Sequence, residues 1–208
     1  MLIRVLGDKI WHPDLVLAAQ EAVISCAHCQ LMKKPDPTPH HLTPISPPPP
    51  LQRWAIDHTG PIAGWPLLNA IEYATGWVES MWVPDISGKA TIYLLDQIWQ
   101  RFGPMKELIS DNAGAFRGPE AEAWRSRHGV RLLPTTPAHP RTNGRVERAN
   151  GVIKNILAKL ALDEPGEEIH KLLPRALYLY NRRPGQHGYS PYFLMFGIQP
   201  TDPGSEPV

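Results

Sequence analysis

Apolar residues recur along this chain at two different periods, and the switches between them mark its elements. Gln52–Thr59 (QRWAIDHT) alternates apolar and polar positions as a half-buried strand does, and delivers Asp57 just before Gly60-Pro61. Leu67–Ala74 and Trp77–Val83 read as two further strands, joined by a tight turn at Thr75-Gly76. The period then lengthens. Across Ser87–Phe102 the residues Ala90, Tyr93, Leu94, Ile98 and Phe102 share one side, which predicts an amphipathic helix stopped by Gly103-Pro104. Lys106–Ser110 is a short strand that delivers Asp111, Glu120–His128 a helix, and Val130–Leu133 another strand.

A loop over Thr135–Asn143 opens the next helical pattern, within Ala138–Leu162. There Val146, Ala149, Ile153, Ile156, Leu157 and Leu160 return at three- and four-residue steps and share a face. Glu147, Asn150 and Lys154 fall on a neighbouring, more polar face. Glu167–Asn181 predicts one more helix, interrupted or kinked near Pro174, and Ser190–Gly197 a short helical turn closed by glycine. Three strands, helix, strand, helix, strand, helix is an α/β order. It predicts a mixed sheet of five strands with helices on both faces. Ligands collect at strand ends in such sheets, and here the first and fourth strands end at Asp57 and Asp111.

Ahead of this lies a different kind of sequence. Asp14–Ile24 reads as a short helix with Pro13 near its start, giving a small helical appendage over residues 1–34. Cys26-Ala-His-Cys29 follows and holds the only two cysteines of the chain. Such a pair can be half of a zinc site, a redox pair or two ordinary thiols. A redox role calls for a thioredoxin-like strand and helix around it, and neither pattern is present. Residues 35–50 contain eight prolines in sixteen positions and read as an extended linker. The expected division is therefore 1–34, 35–50, a core over 51–163, and a helical extension and tail over 164–208.

Composition narrows the function classes only a little. The 208 residues are 42% hydrophobic and 20% charged, a globular balance, with no apolar run of transmembrane length and no secretory signal pattern. A soluble intracellular protein without a membrane partner is the default expectation. The net charge of +1 neither requires nor excludes nucleic acid, so any basic patch has to be local. One is present: Arg141, Arg145, Arg148, Lys154 and Lys159 crowd the segment around Glu147. By itself, Glu147 reads as an acid that suits a helix start and faces solvent. Two aspartates at strand ends change that reading, and thirty-five residues lie between Asp111 and Glu147.

That spacing, with WAIDHTGP around Asp57, ISDNAGAF around Asp111 and PAHPRTNGRVERANGVIK around Glu147, resembles integrases of the retroviral and long-terminal-repeat retrotransposon type, gypsy-like elements in particular. The likeness runs from residue 11 to 200 and includes Tyr180-Asn181, Ser190-Pro191, Gly197 and Pro200 downstream. It implies a ribonuclease H-like fold, with Asp57, Asp111 and Glu147 as catalytic residues that bind two Mg²⁺ or Mn²⁺ ions. Close carboxylates repel unless cations neutralise them, and hard divalent ions prefer oxygen. The implied reaction is DNA 3′-end processing and strand transfer, with element ends and target DNA as partners, a homo-multimer as the active form and the nucleus as its place. Asn143, Arg145, Arg148, Asn150 and Lys154 are the implied DNA-binding residues.

Departures from the family pattern are local. Where D-N-G-x-E-F is common, Ala113 and Ala115 replace the glycine and the acid, and Glu72 stands where an Asp is common. Trp11, Pro13, Cys26 and Cys29 match the second half of the family's zinc unit, whose two His would lie before Met1, so a Zn²⁺ site is expected to be incomplete. Two other readings share these residues: a catalytically inactive remnant or domesticated nucleic-acid-binding module, and a ribonuclease H-type nuclease. The segment HP-x-T-N-G-x-V-E-R argues against the last.

Overall fold

The computed structural model describes residues 12–31, 48–111, 114–134, 144–185 and 187–199. Most of the 35–50 linker, the loop at 135–143 and the tail from 200 lie outside them. In chain order the elements are α1 (Leu15–Ser25), α2 (Ala27–Leu31), β1 (Arg53–Ile62), β2 (Trp65–Glu72), β3 (Val78–Trp82), α3 (Gly88–Phe102), β4 (Glu107–Ser110), α4 (Gly114–Arg117), α5 (Pro119–His128), β5 (Arg131–Pro134), α6 (Gly144–Asp163), α7 (Ile169–Arg182) and α8 (Pro191–Phe196). The short helices α2 and α4 are additions to what the periodicity predicts. α4 includes Ala115, one of the two departures from the family pattern, and it buries Ala115 and Phe116.

The five strands form one sheet in the order β3-β2-β1-β4-β5. β1, β2 and β3 pair antiparallel, whereas β4 and β5 run parallel to β1. Successive side chains of a strand point to opposite faces, and this sorts the core into two layers. Trp54, Ile56, Leu68, Ala70 and Leu108 face α3 and α5, meeting Leu94, Leu95, Ile98 and Trp124. Ala55, Leu67, Ile71, Val78 and Ile109 face α6 and α7, meeting Val146, Ala149, Ile153, Leu157, Leu172 and Ala176. The apolar face expected for α6 is therefore the one it buries. Ser87 caps α3 by accepting from the Ala90 amide at 3.3 Å, and Ser190 caps α8 by accepting from Phe193 at 3.1 Å.

Pro174 does not interrupt α7, contrary to expectation: the helix runs unbroken through it from Ile169 to Arg182. A proline inside a helix leaves the carbonyl four residues earlier without its N–H partner. That carbonyl, of His170, accepts instead from the Trp82 indole of β3 at 3.2 Å. At the other end of α7, Asn181 imitates a strand. Its Nδ2 donates to the Val78 carbonyl and its Oδ1 accepts from the Val78 amide, both at 2.9 Å. This bidentate pairing occupies part of the outer edge of β3 and pins the extension to the sheet. Asn181→Ala leaves a buried N–H and C=O unpaired, and should lower the unfolding free energy in urea by about 2–3 kcal/mol.

The appendage packs on the far end of α6. His28 Nδ1 meets Asp163 Oδ1 at 3.0 Å, and Cys29 Sγ lies 3.6 Å from Lys159 Nζ. Of α1 only Ala19 is buried, while Val16, Leu17, Val23 and Ile24 are exposed.

Candidate active site

The parallel register of β1 and β4 pairs Trp54 with Leu108 and Ala55 with Ile109. Carried two residues further, it brings Asp57 beside Asp111, the residue that follows β4. Asp57 itself lies in the middle of β1 rather than at the expected strand end, because pairing with β2 carries the strand on to Ile62. Asp57 shares the face of Ala55, turned toward α6, and Glu147 is exposed in the first turn of that helix. The electrostatics agree with this placement. Burial pushes the half-buried Asp57 carboxyl from an ordinary 3.8 to about 6, and the charges of Asp111 and then Glu147 push in the same direction. A hydrogen bond from Asn150 opposes the rise.

That hydrogen bond is the end of a polar row across an otherwise apolar face. Asp57 pairs with Asn69 in the β1–β2 register, and Asn69 with Ser80 in the β2–β3 register. Over this row lies Asn150, one helical turn beyond Glu147. Its Nδ2 donates to Asp57 Oδ2 at 2.7 Å and its Oδ1 accepts from Asn69 Nδ2 at 2.8 Å. Asn69 Oδ1 in turn accepts from the Ser80 hydroxyl. Asn150 is thus 5% exposed, with both ends of its amide engaged inside the protein. This corrects its expected place on the polar, DNA-facing side of the helix: it holds an acid of the site instead. Asn69 escaped the sequence reading, although a lone amide in the apolar run Leu67-Leu68-Asn69-Ala70-Ile71 was its signal.

The basic residues divide. Arg145, Arg148 and Lys154 are exposed along α6. The Arg145 guanidinium stands 5.0 Å from the centre of the Tyr73 ring, whose other neighbour is Arg53 at 5.4 Å. Arg145, Arg148 and Arg183 all act on the Tyr180 hydroxyl, holding down a pKa that burial raises. These cations therefore gather where α6 begins and α7 ends. Asn143 and Arg141 lie outside the described residues. On the opposite side of β1, His58 stacks on Phe116 at 4.9 Å, and its buried Nε2 has no hydrogen-bond partner among the described residues.

Among the described residues no three His, Cys, Asp or Glu side chains stand close enough to hold one metal ion as they are. The Cys26 and Cys29 thiols are free, and the Cys29 backbone amide and thiol hold the Cys26 thiol below its ordinary range by hydrogen bonding. The acidic site fits a hard cation by its chemistry. Its donors are all carboxylate oxygens, and burial, with the negative charges of Asp111 and Glu147, makes Asp57 resist ionisation. No described helix is long and apolar enough to cross a membrane.

No protein-family model matches the chain. The chain is similar to the Pro-Pol polyprotein of Simian foamy virus type 3 (strain LK3), with 29% identity over 203 residues, 95% of this chain and 18% of the polyprotein. It therefore spans less than a fifth of that relative. Its fold is similar to the crystal structure of the catalytic core domain of BIV integrase, with a TM-score of 0.61, 27% identity, and coverage of 71% of this chain and 95% of that one. The HTLV-2 integrase catalytic core domain, in complex with magnesium and in a trimeric form, superposes with a TM-score of 0.62 at 22% identity, over 70% of this chain and 97% of that one.

Proposed function

Because the chain is similar to retroviral Pol polyproteins in sequence and to retroviral integrase catalytic cores in its ribonuclease H-like fold, we propose that it trims and joins DNA ends by metal-dependent phosphoryl transfer. Asp57, Asp111 and Glu147 would hold two Mg²⁺ or Mn²⁺ ions, and these would supply charge stabilisation to the attacking and leaving oxygens of an in-line displacement. The protein's own part is placement. Asn150 holds the Asp57 carboxylate by its Oδ2, and Arg145, Arg148 and Lys154 draw the phosphate backbone along α6. In trimming, a water oxygen bonds to phosphorus as the bond to the 3′ oxygen breaks, which leaves a 3′-hydroxyl. In joining, that hydroxyl attacks a target phosphodiester, and one P–O bond forms as another breaks. No covalent protein intermediate is required.

The observation that carries this reading is the electrostatic action of Asp111, after β4, and of Glu147, in the first turn of α6, on the half-buried Asp57 of β1, on an integrase core fold. Its test is a labelled duplex oligonucleotide with Mg²⁺ or Mn²⁺. Metal-dependent nicking or joining that vanishes in Asp111→Asn supports it, and identical behaviour of the two proteins sinks it. Cleavage of RNA–DNA hybrid alone would move the assignment to a ribonuclease H-type nuclease. On this reading the protein would act in the nucleus, on chromosomal DNA, and as a complex of several copies. Arg148→Ala should weaken duplex binding evenly across sequences and reduce the slope of log K against log salt by about 1.

A second reading has its own support. The three acids are not gathered into a ready metal cage among the described residues. A DNA-binding descendant without catalysis would retain the basic face of α6 and bind duplex equally well in EDTA and in Mg²⁺, with no product in either.

A further inference from the structure

The row Ser80–Asn69–Asn150–Asp57 passes through β3, β2, α6 and β1, and its direction follows from its last member. An ionised carboxylate only accepts, so Asn150 must turn its Nδ2 to Asp57 and offer its Oδ1 to Asn69. Asn69 must then donate its Nδ2 and leave its Oδ1 for the Ser80 hydroxyl. All four groups are satisfied in one orientation only. Asn69 is 0% exposed, between Leu67 and Ile71 on the face turned to α6. An amide there is tolerated because both its ends are bonded. Without Asn69, the Asn150 Oδ1 would lose its donor, and the Asp57 carboxylate alone would hold the amide in its donating sense. A half-turn would put Oδ1 against the Asp57 carboxylate, where two acceptors repel.

We propose that Asn69, held in its orientation by Ser80, is a positioning residue for the acidic site, acting through Asn150 to aim the Asp57 carboxylate and to fix α6, with Glu147 on it, against β1. The inference rests on the metal-dependent reading above and adds to it which buried groups tune cation affinity. Outer groups that orient a metal ligand typically change affinity 10- to 100-fold when removed. Asn69 touches neither DNA nor metal, so its loss should alter metal uptake and leave DNA binding in EDTA unchanged.

The test is calorimetric titration of Mn²⁺ into the full chain, with thermal melts on the same samples. Asn69→Leu, close in shape to the amide it replaces, should weaken Mn²⁺ binding about tenfold, as should Asn150→Ala. The double variant should be no weaker than Asn150→Ala alone, because Asn69 has no route to Asp57 except through Asn150. Ser80→Ala, on an edge strand and half-buried, should retain the fold and weaken binding by about threefold, a smaller loss than the tenfold of the residue it orients. Wild-type affinity in Asn69→Leu, or losses that add in the double variant, would overturn the proposal. If Asn69→Leu does not fold, unchanged affinity in Ser80→Ala overturns it. No Mn²⁺ uptake by folded wild type strikes the metal-dependent reading itself, whereas normal wild-type uptake with unaltered variants strikes this inference alone.

Discussion

Asp57→Asn should abolish DNA cutting and make the protein more stable at the same time. The amide presents the site with one oxygen where the carboxylate had two and removes a negative charge that cations would bind. A loss of several kcal/mol of charge stabilisation corresponds to a rate at least about 10³-fold lower. Stability moves the other way. The Asp57 carboxyl sits at about 6 in the fold against an ordinary 3.8, so the folded state holds a proton that the unfolded chain has lost between those values. A raised acid contributes most below its unfolded value, and that contribution is lost as pH rises through the folded one. Each pH unit of such a rise corresponds to about 1.4 kcal/mol. With part of the group in water, ionised Asp57 costs the fold about 2 kcal/mol at pH 7. The amide carries no such cost, and its oxygen can still accept from Asn150. Melting curves should therefore show the variant about 5 °C above wild type at pH 7, with the gap closing between pH 6 and pH 4. Saturating Mg²⁺ should narrow it by stabilising wild type alone. A variant that melts below wild type at pH 7 would mean that burial and the neighbouring charges do not strain the Asp57 carboxylate.

Glu72→Leu should be the most destabilising single change in the core. This side chain is 0% exposed, at the end of β2. Its Oε2 accepts from the Thr75 amide and hydroxyl, both at 2.7 Å, and from the Ala74 amide at 3.1 Å, while Oε1 accepts from the Leu51 amide at 3.1 Å. One carboxylate thus builds the turn into β3 and ties the start of the core to it. Leucine fills the volume and leaves four donors without a partner, the Thr75 amide among them fully buried. Breaking a buried charged network by removing one partner costs about 3–5 kcal/mol. Against a total of about 5–15 kcal/mol, the denaturant midpoint should fall by a third or more. Glu72→Gln retains an oxygen for the turn and turns a donor toward the Leu51 amide, so it should cost about half as much. Equal midpoints for Leu and wild type would show that the turn holds itself.

Glu72 also shows how far sequence reading reaches. Its position, where related chains often carry Asp, was visible in the chain. Its task was not, because three of its four donors belong to the turn that it creates and the fourth lies 21 residues earlier. Pro174 teaches the same point from the other direction. Local chemistry says that a proline in mid-helix leaves a carbonyl orphaned, and that is so. Whether the helix then breaks depends on a partner for the His170 oxygen, which the Trp82 indole supplies from 88 residues away.

Periodicity and punctuation determined the order of the strands and longer helices and the faces they bury, since those signals depend on neighbours within a turn or two, and the family resemblance singled out the three acids. The alternation of Trp54, Ala55, Ile56 and Asp57 alone decides which faces them. Only the tertiary structure decided that Asn150 points inward, that Asn69 and Ser80 complete its row, and that Asn181 seals an edge of the sheet. An amide has both a donor and an acceptor and suits water or a buried partner equally. What selects between them are atoms 81, 93 and 103 residues distant, brought within 3 Å by packing.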